Sequence, residues 1–237
     1  MARKTALIRI LSRSSAPFAD REEAGKLLAG ELNDYRGKNV VVVGIPRGGV
    51  VVADNLAKGI GADLDIILAH KLGAPGHAEL AVGAVSEDGR LILNRQVVEN
   101  LGVTDKFIQQ EKSLQMAEIN RRSEMFRRVH PKIPLEGKIV IVTDDGVATG
   151  ATIQAALWAA REEKPEKLIV ALPVGPEDAI RRLAEDADEM VCLKAPPSFA
   201  AVGQFYENFL PVDDSEVLRI LKESQHGAIV DQNRKGY

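Results

Sequence analysis

Short, mainly apolar runs alternate along this chain with longer segments whose apolar positions recur every three or four residues. The runs lie at 40–45, 64–69, 139–143, 168–174 and 190–193 and are rich in Val, Ile and Leu. Strands that read this way are buried on both faces, as inside a parallel sheet. The periodic segments 50–58, 152–163 and 177–185 are the helices expected to cover that sheet. An earlier helix is expected over 21–33, opened by Asp20-Arg21-Glu22-Glu23, which has the pattern of a capping box. The implied fold class is α/β, a parallel twisted sheet flanked by helices.

Residues 72–134 interrupt this rhythm. Gly73-Ala74-Pro75-Gly76 signals a loop, and two short alternating segments come next, around 81–85 and 90–93. Thr104 is placed to cap a long helix ending near Arg128, with Phe107, Ile108, Leu114, Ala117, Ile119, Met125 and Phe126 forming one apolar stripe. That stripe packs on the body or on a second subunit, the latter giving a homodimer. Arg121, Arg122, Arg127 and Arg128 make a basic spur, but such charge runs are ordinarily solvated faces. The tail from 225 onward is polar and expected to fray.

Composition narrows the class further. With 237 residues, 45% hydrophobic and 27% charged, the chain suits one large α/β domain, and 4% aromatics leave its core to aliphatic side chains. A net charge of −3 does not mark an electrostatic nucleic-acid binder. The single cysteine, Cys192, excludes an intramolecular disulfide and a cysteine-rich metal site. The apolar stretch 6–11 is broken by Arg9 and is too short for a signal peptide, and no run approaches a membrane span. A cytoplasmic setting is the default expectation.

The chemistry concentrates after the run at 139–143. Asp144 and Asp145 sit at the carboxyl end of a buried strand, where open α/β sheets bind ligands. Gly146, Val147, Ala148, Thr149, Gly150, Ala151 and Thr152 then form a small-residue turn opening a helix, a backbone cradle suited to a phosphate monoester. Two carboxylates beside such a cradle need a target other than the anion. Sugar hydroxyls, reached directly or through a divalent metal, are the natural one. Upstream, Gly44-Ile45-Pro46-Arg47-Gly48-Gly49-Val50 succeeds the first central run, where Gly48 and Gly49 allow close backbone approach and Arg47 offers a forked charge. No Walker lysine motif and no Gly-x-Gly-x-x-Gly helix opening is present. None of His70, His77, His130 and His226 has metal-ligand spacing.

The segment 140–152 resembles the phosphoribosyl pyrophosphate (PRPP) signature of type I phosphoribosyltransferases, with Thr143 and Gly146 departing from the usual residue types. The resemblance covers 40–93 and 139–210. It implies that Asp144 and Asp145 hold the ribose hydroxyls, that Gly146 to Thr152 hold the 5′-phosphate, and that Arg47, Gly48 and Gly49 face the diphosphate. It also implies that Lys71 contacts the diphosphate as a catalytic residue, that a mobile loop occupies 72–87, and that Mg²⁺ binds mainly through PRPP. Within that loop His77 and Glu79 are candidate acid–base groups. The whole chain, 1–237, then reads as a single phosphoribosyltransferase-like domain with a helical insertion at about 96–130. A small base-selecting hood is expected at about 195–214, where Phe199, Phe205, Tyr206 and Phe209 gather, and where one aromatic would stack on a planar base. The implied reaction transfers the phosphoribosyl group of PRPP to a nitrogenous base and releases pyrophosphate. A PRPP- or nucleotide-binding regulator without turnover, or a hydrolase or phosphotransferase acting on another phosphorylated sugar, uses the same residues.

Overall fold

The computed structural model describes residues 6–234, and within them every side chain except those of 77–79 and 226–234. Six parallel strands form the main sheet. Their order is β1 (Leu7–Ser12), β9 (Glu189–Lys194), β8 (Lys167–Val174), β7 (Ile139–Thr143), β2 (Val40–Gly44) and β3 (Asp63–Ile66). Alternate side chains serve opposite faces. Val42, Ile141, Ile169 and Val191 join the core beneath α1 (Arg21–Glu31), α2 (Gly48–Ile60) and α7 (Asp214–Arg234). Val41, Val43, Val140, Val142, Val170 and Met190 join the core beneath α5 (Ala151–Glu162) and α6 (Glu177–Ala184). Burial on both faces is the physical reason these strands read as continuous apolar runs.

The order of connection reverses in the middle of the sheet. From β2 the chain passes through α2 to β3 on one side; from β7 it passes through α5 and α6 to β8 and β9 on the other. β2 and β7 are therefore paired neighbours whose chains leave in opposite directions, in register from Val40↔Ile139 to Gly44↔Thr143. Such a reversal opens a crevice at the strands' carboxyl ends.

Between β3 and β7 the chain builds a second, antiparallel sheet from β4 (Ala69–Ala74), β5 (His77–Ser86) and β6 (Leu91–Leu93). It then forms α3 (Arg95–Leu101) and α4 (Asp105–Arg127), the latter capped by the Thr104 side chain, which accepts from the Phe107 amide. The small sheet packs on α5, and α4 lies against β4 and β5.

Five expectations change, and one element, β1, is new. Residues 64–69 are not one strand: β3 ends at Ile66, and Ala69 already begins β4, a break that a continuous apolar run conceals. Residues 72–87 are a hairpin, not a loop. Residues 7–12 form the edge strand β1. On α4 the buried stripe is Ile108, Ile119 and Phe126, while Leu114 is 66% exposed. Arg127 is no part of a solvated spur: it bonds Asp65, Glu87 and the Ile66 carbonyl in a buried cluster. The tail also continues α7 as far as Arg234 instead of fraying at 225.

Candidate active site

The crevice is built from the turns that leave β7 and β2. After β7, Gly146 packs where a Cβ would lie 2.6 Å from the Val202 side chain, and the Val147 amide donates to the Val174 carbonyl at 2.9 Å. These two residues anchor the turn to β8 and to the 195–214 segment. The exposed part is Ala148, Thr149 and Thr152. Gly150 caps α5 at φ 82, a left-handed conformation that favours glycine. The first intrahelical bond runs from the Gln154 amide to the Gly150 carbonyl, so the amides of Ala151, Thr152 and Ile153 have no intrahelical partner. Together with the α5 dipole they make an anion-binding corner. Arg182 of α6 holds the loop from behind through the Thr149 carbonyl at 3.0 Å.

After β2 the chain runs through Ile45, Pro46 and the exposed Arg47, with a cis peptide between Pro46 and Arg47, into α2. Gly48 and Gly49 are where the two halves of the crevice touch. A Cβ on Gly48 would sit 2.0 Å from Asp145 Oδ2, and one on Gly49 would sit 2.7 Å from Asp144 Oδ1. The glycines thus let the acidic pair nest against the start of α2, whose amino terminus favours negative charge.

Asp145 is gripped from two further sides. Arg21, the first residue of α1, donates from Nε to Asp145 Oδ2 at 2.8 Å, with the two side chains 11% and 17% exposed. The same guanidinium donates to the Leu210 carbonyl at 2.9 Å and lies 3.8 Å from the Phe209 ring centre. The Tyr206 hydroxyl donates to the Asp145 carbonyl at 2.5 Å. Sequence reasoning missed Arg21 because Asp20 to Glu23 read as a cap alone. That cap is real, with Asp20 accepting from the Glu23 amide, although the Glu23 carboxylate returns to the Ala19 amide rather than to that of Asp20. The available signal was a cation in the first helical turn, where the dipole disfavours it.

Burial pushes the Asp144 carboxyl well above its ordinary range, and the neighbouring Asp145 adds to the shift. Burial also raises Asp145, against the opposing pull of Arg21. A carboxyl raised in the folded chain is more protonated there than in the unfolded chain, so its ionisation costs stability as pH climbs from the unfolded value, about 3.9, through the folded one. Asp144→Asn keeps the oxygen that accepts the Asp145 amide. It is expected to raise the melting temperature at pH 7 by roughly 2–4 °C, for a gain of about 1 kcal/mol, with the gain fading as pH falls toward 4. A lower melting temperature at pH 7 than the parent would contradict this electrostatic reading.

Lys71 lies half-buried on β4, opposite Ala84. It lines an open cavity of about 340 Å³ together with Pro46, His70, Gln115, Arg122 and Thr152. The structure therefore brings Lys71 to the crevice and adds α4, whose Gln115 bonds His70 Nδ1 at 2.9 Å. The side chains of His77 and Glu79 lie outside the described residues. Of the aromatics at 195–214, Phe205 and Tyr206 are buried, and Phe209 stacks on Tyr206 at 5.0 Å while carrying Arg21. Phe199 lines a second cavity of about 340 Å³ with Arg13, Pro176, Glu177 and Pro196. Cys192 is buried, which pushes its thiol up to about 12. Among the described residues, no three His, Cys, Asp or Glu side chains come together as a metal site, and no helix is long and apolar enough to cross a membrane.

Comparison with known proteins places the chain in a family. The crystal structure of TT1426 from Thermus thermophilus matches with a TM-score of 0.82 and 44% identity, covering 87% of this chain and 98% of that one. Two Mycobacterium tuberculosis proteins, Rv0571c of strain H37Rv and MT0597 of strain CDC 1551, carry the provisional name phosphoribosyl transferase. Each is 46% identical over 204 residues, which is 86% of this chain and 46% of theirs. The chain thus matches somewhat under half the length of these curated relatives. The family model described as the phosphoribosyl transferase domain matches residues 19–209, starting ahead of β2 and taking in α1 and Arg21. On that match, which spans most of its length, this chain belongs to the phosphoribosyl transferase domain family.

Proposed function

We propose that the chain transfers the phosphoribosyl group of PRPP to a nitrogenous base with release of pyrophosphate. The observation that carries this reading is the meeting of three elements in one crevice. Two adjacent carboxylates, an amide-lined helix start and a Gly-Gly turn converge where β2 and β7 end. The 5′-phosphate fits the start of α5, at Ala148, Thr149, Gly150, Ala151 and Thr152. The ribose hydroxyls fit Asp144 and Asp145. In the reaction the bond from C1 to the pyrophosphate oxygen breaks, a bond from C1 to nitrogen forms, and the nitrogen loses its proton. The transition state is loose and carries positive charge on the sugar. The protein's part is to align the partners, to balance charge on the leaving group through Arg47 and Lys71, and to limit water. Mg²⁺ would be held mainly by the oxygens of the ligand's diphosphate, the hard donors it favours. When bound, Mg²⁺ supplies charge neutralisation on the diphosphate. For the acceptor, Phe199, which stacks on Phe205 and lines an open cavity, is the aromatic assigned to a planar base. A cytoplasmic setting suits these substrates.

The direct test is calorimetric titration of PRPP with Mg²⁺, and then an assay of pyrophosphate release over a panel of purine and pyrimidine bases. Saturable binding and base-dependent release are expected. Asp145→Asn should weaken PRPP binding by on the order of tenfold to a hundredfold, since it removes a charged acceptor from the sugar. Unchanged affinity in that variant would remove the ribose assignment. Binding without pyrophosphate release for any base would make the protein a regulator instead.

A further inference from the structure

Arg21 is not among the residues to which the phosphoribosyl reading gives a role, yet it forms a largely buried ion pair with one member of the acidic pair. Its Nε is bonded to Asp145 Oδ2, its Nη1 to the Leu210 carbonyl, and its guanidinium rests on Phe209, which in turn stacks on Tyr206. Tyr206 closes the circuit by donating to the Asp145 carbonyl. On the remaining side stands Gly48, whose missing Cβ would lie 2.9 Å from Arg21 Nε and 2.0 Å from Asp145 Oδ2. Asp145 is thus held through its carboxylate by α1 and through its backbone carbonyl by the 195–214 segment, with the start of α2 closing on the same carboxylate.

We infer that Arg21 is a positioning residue for sugar recognition. It takes up Oδ2 of Asp145 and locks the carboxylate's orientation, so that Oδ1 is the oxygen presented to a ribose hydroxyl. A guanidinium is suited to this because its fork serves two acceptors at a fixed angle while its face packs on an aromatic ring. Lysine keeps the charge but cannot hold that geometry. Arg21 bonds the carboxylate assigned to the sugar and the Leu210 carbonyl, not the amides at the start of α5, so its effect is expected on the sugar and not on the phosphate. The inference rests on the ribose reading of Asp145 and is tested separately from it.

The experiment measures binding of ribose 5-phosphate and of inorganic phosphate by calorimetry or phosphorus NMR. The proteins are the parent, Arg21→Gln, Arg21→Lys and Asp145→Asn, each checked for an unchanged far-UV spectrum. Arg21→Gln is expected to lose on the order of tenfold in ribose 5-phosphate affinity while inorganic phosphate affinity stays within about twofold, and Arg21→Lys should restore only part of the loss. Three results would overturn the inference: parent affinity for ribose 5-phosphate in Arg21→Gln, an equal loss for both ligands, or complete rescue by Lys. If Asp145→Asn weakens ribose 5-phosphate and Arg21→Gln does not, only the Arg21 role falls. If Asp145→Asn also binds like the parent, the ribose reading itself falls.

Discussion

Gly48→Ala is expected to leave a folded protein that has lost at least about a hundredfold in PRPP affinity, equivalent to roughly 2.7 kcal/mol. The added methyl carbon would meet Asp145 Oδ2 at 2.0 Å, Asp145 Cγ at 2.8 Å and Arg21 Nε at 2.9 Å, none of which real carbon contacts tolerate. The fold can absorb the clash, because the obstructing atoms belong to two side chains and not to backbone, but only by breaking the Arg21–Asp145 pair, at a cost of about 1–3 kcal/mol. Function cannot, since the group that moves is the carboxylate assigned to the sugar. Gly30→Ala is the matched control. It lies in α1 with nothing within 4 Å of a new Cβ, and helix propensity alone should add roughly 1 kcal/mol of stability. Calorimetry and thermal melts on both variants separate the effects. Parent-like PRPP binding by Gly48→Ala would mean that the acidic pair does not need its present position.

The second large effect concerns stability away from the crevice. Asp65, 1% exposed, receives the Arg127 guanidinium at 2.5 Å and the Ile133 amide at 2.8 Å, while Arg127 also grips Glu87 and the Ile66 carbonyl. This cluster pins the end of α4 to β3 and to the turn after β5. Burial raises the Asp65 carboxyl despite the pull of Arg127, which means that the arginine only partly offsets desolvation. Removing it leaves a carboxylate without its main counter-charge. Arg127→Met should therefore cost about 3–5 kcal/mol and lower the melting temperature by roughly 10 °C or more. The double variant Asp65→Asn with Arg127→Met should recover part of that loss, because the stranded charge is gone. A melting temperature within a few degrees of the parent in the single variant would show that the cluster is not holding α4 in place.

The legible parts of this protein were those whose physics is local. A strand buried on both faces announces itself by composition, so β2, β7, β8 and β9 could be read, and the turns after β2 and β7 stood out where apolar runs gave way to glycine and carboxylate. The edge strand β1 did not read as a strand, because Leu7–Ser12 carries Arg9, and half-exposed residues dilute its pattern. The hand-over from β3 to β4 was invisible for the opposite reason: residues on both sides of it are buried, so no polar position marks where one sheet ends. Arg21 and Arg127 were missed as site and core residues because their partners lie 124 and 62 positions away, and no short window contains both ends of such a bond. The glycines at 48 and 49 were recognised as a close approach, but what approaches them within the chain is the acidic pair.

The pairing of β2 with β7 also bears on when the protein becomes competent. Their register joins Val40 to Ile139, so nearly a hundred residues must be threaded, including a whole second sheet and the long helix, before the crevice exists. Closing so large a loop is entropically unfavourable and comes late, and topologies dominated by distant pairings fold slowly. Helical signal from α1, α2 and α5 should therefore return early in refolding, with ligand capture as a separate, slower event. Anything that holds the two central strands together, including a sugar phosphate bridging their ends, would act on the last stage of assembly and slow the first stage of unfolding.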